Sequence, residues 1–74
     1  MYALIETVGY KAIVSFFDNE KEVEAEMKQR YNKAVKGADR IDWKRTYFME
    51  DKRYARVYDW RKEIEYRVAV TDGG

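Results

Sequence analysis

Tyr54, Arg56, Tyr58 and Trp60 stand at every second position and carry the densest contact chemistry in this sequence. On a β-strand, alternate side chains point to the same face. The run therefore presents three aromatic rings and a guanidinium together, with Ala55 and Val57 turned the other way. Such a face stacks on planar groups, makes cation–π contacts and directs hydrogen bonds from its arginine. The small apolar residues behind it suit packing against a helix. Trp43, Arg45 and Tyr47 repeat the pattern upstream, and they extend the face if their segment pairs alongside in suitable register.

The chemistry of catalysis is missing. The chain has no histidine and no cysteine, so the common general base, the common soft nucleophile and the usual zinc ligands are all absent. Ser15 is the only serine, and no histidine exists to activate it. With glycine only at positions 9, 37, 73 and 74, no phosphate-cradling loop can be drawn. Asp39 and Asp42 flank Arg40, but aspartates at such a place ordinarily satisfy the backbone of a turn. These residues are read as non-enzymatic, with no metal and no cofactor.

Seventy-four residues suffice for one domain with a small core. No apolar run approaches the ~20 residues that span a bilayer, and the first residues lack the pattern of a signal peptide. A cytoplasmic protein is the default expectation. Fifteen basic and fourteen acidic residues leave a formal charge of +1, against the basic excess of a duplex nucleic-acid binder. The charge is uneven: residues 40–62 hold eight basic and four acidic side chains and coincide with the aromatic-rich stretch.

The elements that must position these residues follow from periodicity. Residues 19–36 predict a helix with Asn19 and Glu22 as a capping box, glutamates in its first turns and Lys28, Arg30, Lys33 and Lys36 later. Glu24–Lys28 and Glu26–Arg30 have i,i+4 spacing. Val23, Met27, Tyr31, Ala34 and Val35 form its apolar stripe, and Gly37 is placed for a left-handed C-terminal cap. Three strands are expected at residues 40–49, 53–60 and 63–71, joined by short turns into an antiparallel meander. In the last, Ile64, Tyr66, Val68 and Val70 face one way, with Glu65, Arg67 and Thr71 opposite. At the start, Gly9-Tyr10 fits a type II′ hairpin turn, putting Ala3, Ile5, Thr7, Ala12, Val14 and Phe16 on a common face. A single strand with a glycine bulge is the alternative. The fold class is α+β: an antiparallel sheet of order ββαβββ, or βαβββ with one bulged first strand, and one helix packed on one face.

The expected function is binding through the aromatic and arginine face to a larger protein, or to a second copy in a homodimer. Tyr, Trp and Arg are the residues enriched at protein–protein hot spots. A single-stranded nucleic-acid binder using the same rings as a stacking platform is the alternative. In size and composition, a short chain with contact residues and no catalytic inventory resembles small phage-encoded inhibitors, including anti-CRISPR proteins. That resemblance implies a role as inhibitor of a larger host or defence protein. The terminal Gly73-Gly74, after a hairpin and a helix, resembles ubiquitin-like modifiers and sulfur carriers, which are activated at such a carboxylate. That reading ranks third.

Overall fold

The computed structural model describes residues 1–71. The element order is β1 (Tyr2–Val8), β2 (Lys11–Phe17), α1 (Glu20–Gly37), β3 (Tyr47–Phe48), β4 (Tyr54–Asp59) and β5 (Lys62–Val70). Five antiparallel strands form one open sheet in the order β2-β1-β5-β4-β3, so the α+β, ββαβββ expectation holds.

The first 17 residues form a hairpin, not one bulged strand. Gly9 takes φ +59, while Lys52 is the only non-glycine with positive φ among the described residues, so Tyr10 keeps negative φ as a type II′ turn requires. The register pairs Ala3 with Phe16, Ile5 with Val14 and Thr7 with Ala12, the expected common face.

Helix α1 starts where its cap predicts. Asn19 Oδ1 accepts from the Glu22 N–H at 2.9 Å, satisfying a donor that the first turn cannot. The end differs from expectation. Gly37 is the last helical residue, and extended Ala38 closes the helix by donating its N–H to the Val35 carbonyl at 3.3 Å. No left-handed residue is needed for that bond, so the glycine at 37 is not used for its positive φ. Of the two expected i,i+4 pairs, Arg30 meets Glu26 at 2.7 Å. Lys28 instead lies over the Phe48 ring at 4.5 Å, while Glu24 reaches Lys52 at 4.0 Å.

The helix covers one face only. Val23 and Met27 are fully buried against Leu4, Ala55, Val57, Ile64, Tyr66 and Val68. Tyr31, Ala34 and Val35 pack at the margin with Tyr2, Val8, Phe17, Ile41 and Phe48. Two polar ties fix the helix over the sheet. The Tyr66 hydroxyl donates to the Arg30 carbonyl at 3.3 Å, and the Arg30 guanidinium reaches Glu6 at 3.1 Å and Ser15 at 3.3 Å.

The sequence predicts a third strand over residues 40–49, and here the structure corrects it. Ile41 makes an isolated bridge to Asp59, and regular pairing resumes only at Tyr47 opposite Arg56. Between them the chain leaves the ladder in a turn, where the Arg45 N–H donates to the Asp42 carbonyl at 3.0 Å. Asp42 Oδ1 also accepts from the Lys44 N–H, the local bonding by which aspartate competes with a strand.

Burial sets how stability depends on pH. It pushes the Tyr66 phenol up to about 12. Burial, then the Glu65 carboxylate, does the same to Tyr54. An unfolded tyrosine ionises near about 10, so between about 10 and 12 the unfolded chain sheds protons that the folded one retains. Stability should be intact below about pH 10 and fall as pH climbs toward about 12. Urea unfolding across that range, with tyrosinate absorbance recorded alongside, checks this; Tyr66→Phe should flatten the alkaline slope. At the acid end Asp59 acts oppositely. Backbone N–H donation from Arg61, then Lys62, holds its carboxyl below the usual range, so its contribution is lost as pH falls through that lowered value.

Candidate interaction face

Because α1 lies on the Ala55/Val57 side, Tyr54, Arg56 and Tyr58 point to the uncovered face, where Tyr47 of β3 joins them. This open face has three stripes. Ala12, Val14 and Phe16 of β2, with Ala3, Ile5 and Thr7 of β1, make an aliphatic one. Glu63, Glu65 and Arg67 of β5 make a charged one. The aromatic and arginine stripe lies beyond, on β4 and β3.

Within that stripe the side chains form two clusters. Tyr47 and Tyr54 meet with ring centroids 5.9 Å apart, and the Tyr54 hydroxyl donates to Glu65 at 3.0 Å. Tyr58 is flanked by Trp60, edge-on at 6.2 Å, and by the Arg45 guanidinium 4.9 Å from its ring centroid. Arg56 lies between the clusters and pairs with Glu63 at 2.9 Å. Its Nε is covered and has no hydrogen-bond partner among the described residues.

Two expected placements change. Strand β4 ends at Asp59, so Trp60 is not on the strand but in the two-residue turn Trp60-Arg61. Asp59 closes that turn: its Oδ1 accepts from the Arg61 N–H at 2.7 Å and the Lys62 N–H at 3.0 Å. Trp60 nevertheless stays in contact with Tyr58 and is 63% exposed. Trp43 and Arg45 lie in the turn that replaces the expected strand, not on a paired neighbour. Arg45 still reaches the face through Tyr58; Trp43 is 64% exposed in the same turn.

Thr46, which sequence reasoning passes over, makes this possible. It is buried, accepts from the Tyr58 N–H at 2.9 Å and donates to the Tyr58 carbonyl at 3.2 Å. A hydroxyl thus does the work of a ladder peptide where the chain has departed from β4, and the Asp42 N–H supplies a second bond to the same carbonyl at 2.9 Å. Thr46→Val is expected to cost about 1–3 kcal/mol, because it leaves the buried Tyr58 groups short of partners. Urea denaturation measures this, and Thr46→Ser should recover most of the loss.

Sequence reasoning also leaves Glu63 out of the face. The signal was available: antiparallel pairing of β4 with β5 sets Tyr58 opposite Glu63 and Arg56 opposite Glu65. The acidic partners alter the electrostatics. Arg56 pairs with Glu63, Arg67 approaches Glu65 at 3.8 Å and Arg45 approaches Asp42 at 3.6 Å. At the rim, Arg61 meets Asp39 at 3.5 Å. The basic excess of residues 40–62 is therefore largely neutralised where the rings are. A groove of about 360 Å³ beside Trp60 is lined by Asp39, Arg40, Asp59 and Arg61, two of each sign.

No set of three or more carboxylates placed to hold a metal ion occurs among the described residues. Among the same residues, no helix is long and apolar enough to cross a membrane. The terminal Gly73-Gly74, on which the modifier reading rests, lies outside the described residues. No protein family, curated protein or solved structure matches this chain.

Proposed function

We propose that this chain is a protein-binding module that docks the Tyr47, Tyr54, Arg56, Tyr58 and Trp60 face on a larger protein, without catalysis. The observation that carries this reading is the pairing of the face's arginines with carboxylates. A single-strand platform needs unpaired cations to release counterions from phosphates. Here Arg45, Arg56 and Arg67 are each within 4 Å of a carboxylate, and the rings stand in a field of mixed sign. Mixed charge around aromatic anchors suits a protein surface, where the rim sets orientation and the rings supply affinity. Occupying a larger protein in this way is how a small inhibitor acts.

A tryptophan-fluorescence titration with mixed-sequence single-stranded DNA and RNA, at low and moderate salt, tests the choice. Trp43 and Trp60 are the reporters. The expected result is no saturable change at either salt. Saturable quenching that weakens with salt, and disappears in a folded Tyr58→Ala variant, would overturn the reading in favour of a nucleic-acid binder.

A further inference from the structure

The two edges of the sheet are treated differently. At the β3 edge, regular pairing is two residues long, flanked by the Thr46-braced turn and the Asp51 turn. Short, interrupted edges of this kind resist pairing with other chains. The β2 edge has no such protection. It runs seven residues, Lys-Ala-Ile-Val-Ser-Phe-Phe, without proline or bulge and with Lys11 as its only charge. Apart from Phe17, which packs against the core, its large apolar side chains are uncovered on both faces: Val14 is 50% and Phe16 61% exposed on the open face, and Ile13 is 53% exposed on the helix side.

Which backbone groups face outward follows from the hairpin. A two-residue turn makes its flanking residues, Val8 and Lys11, a hydrogen-bonded pair. The alternation along an antiparallel ladder then turns Ile13, Ser15 and Phe17 toward β1, leaving the N–H and C=O of Ala12, Val14 and Phe16 free on the edge. Those three positions are symmetric about Val14.

We propose that β2 is the interface of a symmetric homodimer, in which two copies pair antiparallel about Val14 into a continuous ten-stranded sheet. In that register Val14 lies opposite Val14 of the second copy, and each Ala12 opposite the other's Phe16. Three hydrogen-bonded pairs consume every free edge group of the strand. The open face then aligns only Ala, Val and Phe across the junction, and Ile13 falls opposite Ser15. Each Lys11 lies across from Phe17, so no like charges oppose. The strand is self-complementary in shape, bonding and charge, the requirement of a twofold interface. An acidic or basic partner strand would find a single lysine to answer it. The twofold axis stands perpendicular to the sheet, so both aromatic faces look the same way and stay free for the binding proposed above.

Sedimentation equilibrium over a concentration series, combined with residue-resolved amide exchange, tests this. The expected mass is twice the 8.9 kDa of the chain, with Ala12, Val14 and Phe16 amides protected only at concentrations where the dimer forms. Ile13 and Ser15 amides, bonded to β1, should be protected throughout. Val14→Lys, which sets two lysines against each other, should weaken dimerisation at least ~100-fold while preserving the circular dichroism spectrum. If that variant fails to fold, Ala12→Pro removes only an outward N–H and should give the same loss. A monomer at every concentration, or a dimer that survives Ala12→Pro, would overturn the proposal. A dimer lost in Trp60→Ala but kept in Val14→Lys would place the contact on the aromatic face and overturn it too.

Discussion

Leu4→Ala is expected to lower the unfolding free energy by about 2–5 kcal/mol, among the largest single effects on stability that this fold offers. Leu4 is fully buried in β1, the strand between β2 and β5, and touches the core formed with Val23, Met27 and Val68. Removing its branched end leaves a cavity that a sheet anchored on both sides cannot collapse into. A domain of this size has only about 4–11 kcal/mol of stability in total, at ~0.05–0.15 kcal/mol per residue. The substitution therefore takes the protein close to its folding threshold, and a midpoint drop of ~10 °C or more should be seen in thermal denaturation. Ile13→Ala, at an exposed edge position of the same hairpin, should change the monomer's midpoint far less. Equal effects from the two would mean that the core is not where Leu4 places it.

Trp60→Ala should weaken binding of the protein partner by about 2 kcal/mol or more, roughly 30-fold, while leaving the fold intact. The indole stands in the Trp60-Arg61 turn, is largely exposed and meets Tyr58 in a T-shaped contact, so little folding energy depends on it. Its large apolar surface is available to a partner. The measurement is calorimetric titration of a protein isolated by pull-down on the wild-type chain, using wild-type and variant chains of matched circular dichroism. Undiminished affinity would remove Trp60 from the interface. A loss in Tyr58→Ala alone would shift the anchor toward the centre of the strand.

Much of this arrangement was legible in the residues. Alternation along residues 53–60 separates Tyr54, Arg56 and Tyr58 from Ala55 and Val57, and packing of the helix on the small residues follows from that separation. Asn19 marks the helix start, and Gly9-Tyr10 fixes the hairpin register, because both are local bonding decisions. The departures arose where a side chain competes with the ladder. Asp42 and Thr46 bond to the backbone and turn residues 42–45 out of the strand that Trp43, Arg45 and Tyr47 suggest by alternation. Likewise Asp59 ends β4 one residue early by gathering two N–H groups into a turn, taking Trp60 off the strand. The neutral character of the face was within reach for a different reason. The expected meander already sets β5 beside β4, and its register places Glu63 and Glu65 opposite Tyr58 and Arg56, which shows only when two segments are read against each other and not one at a time.

The position of β5 in the sheet has a consequence for the order in which the protein can be made. Met1 accepts from Thr71 at 3.0 Å, and β1 pairs along its whole length with the strand that ends at Val70. The residues of the first hairpin and the helix are synthesised before those of β5 that complete the surface around Leu4. Until Ile64, Tyr66 and Val68 arrive, the core has no floor, and β4 has no inner neighbour. Assembly is therefore a late and concerted event, dominated by contacts between distant parts of the sequence. A single cut in the Trp60-Arg61 turn that frees β5 should undo the whole molecule at once, leaving no stable half.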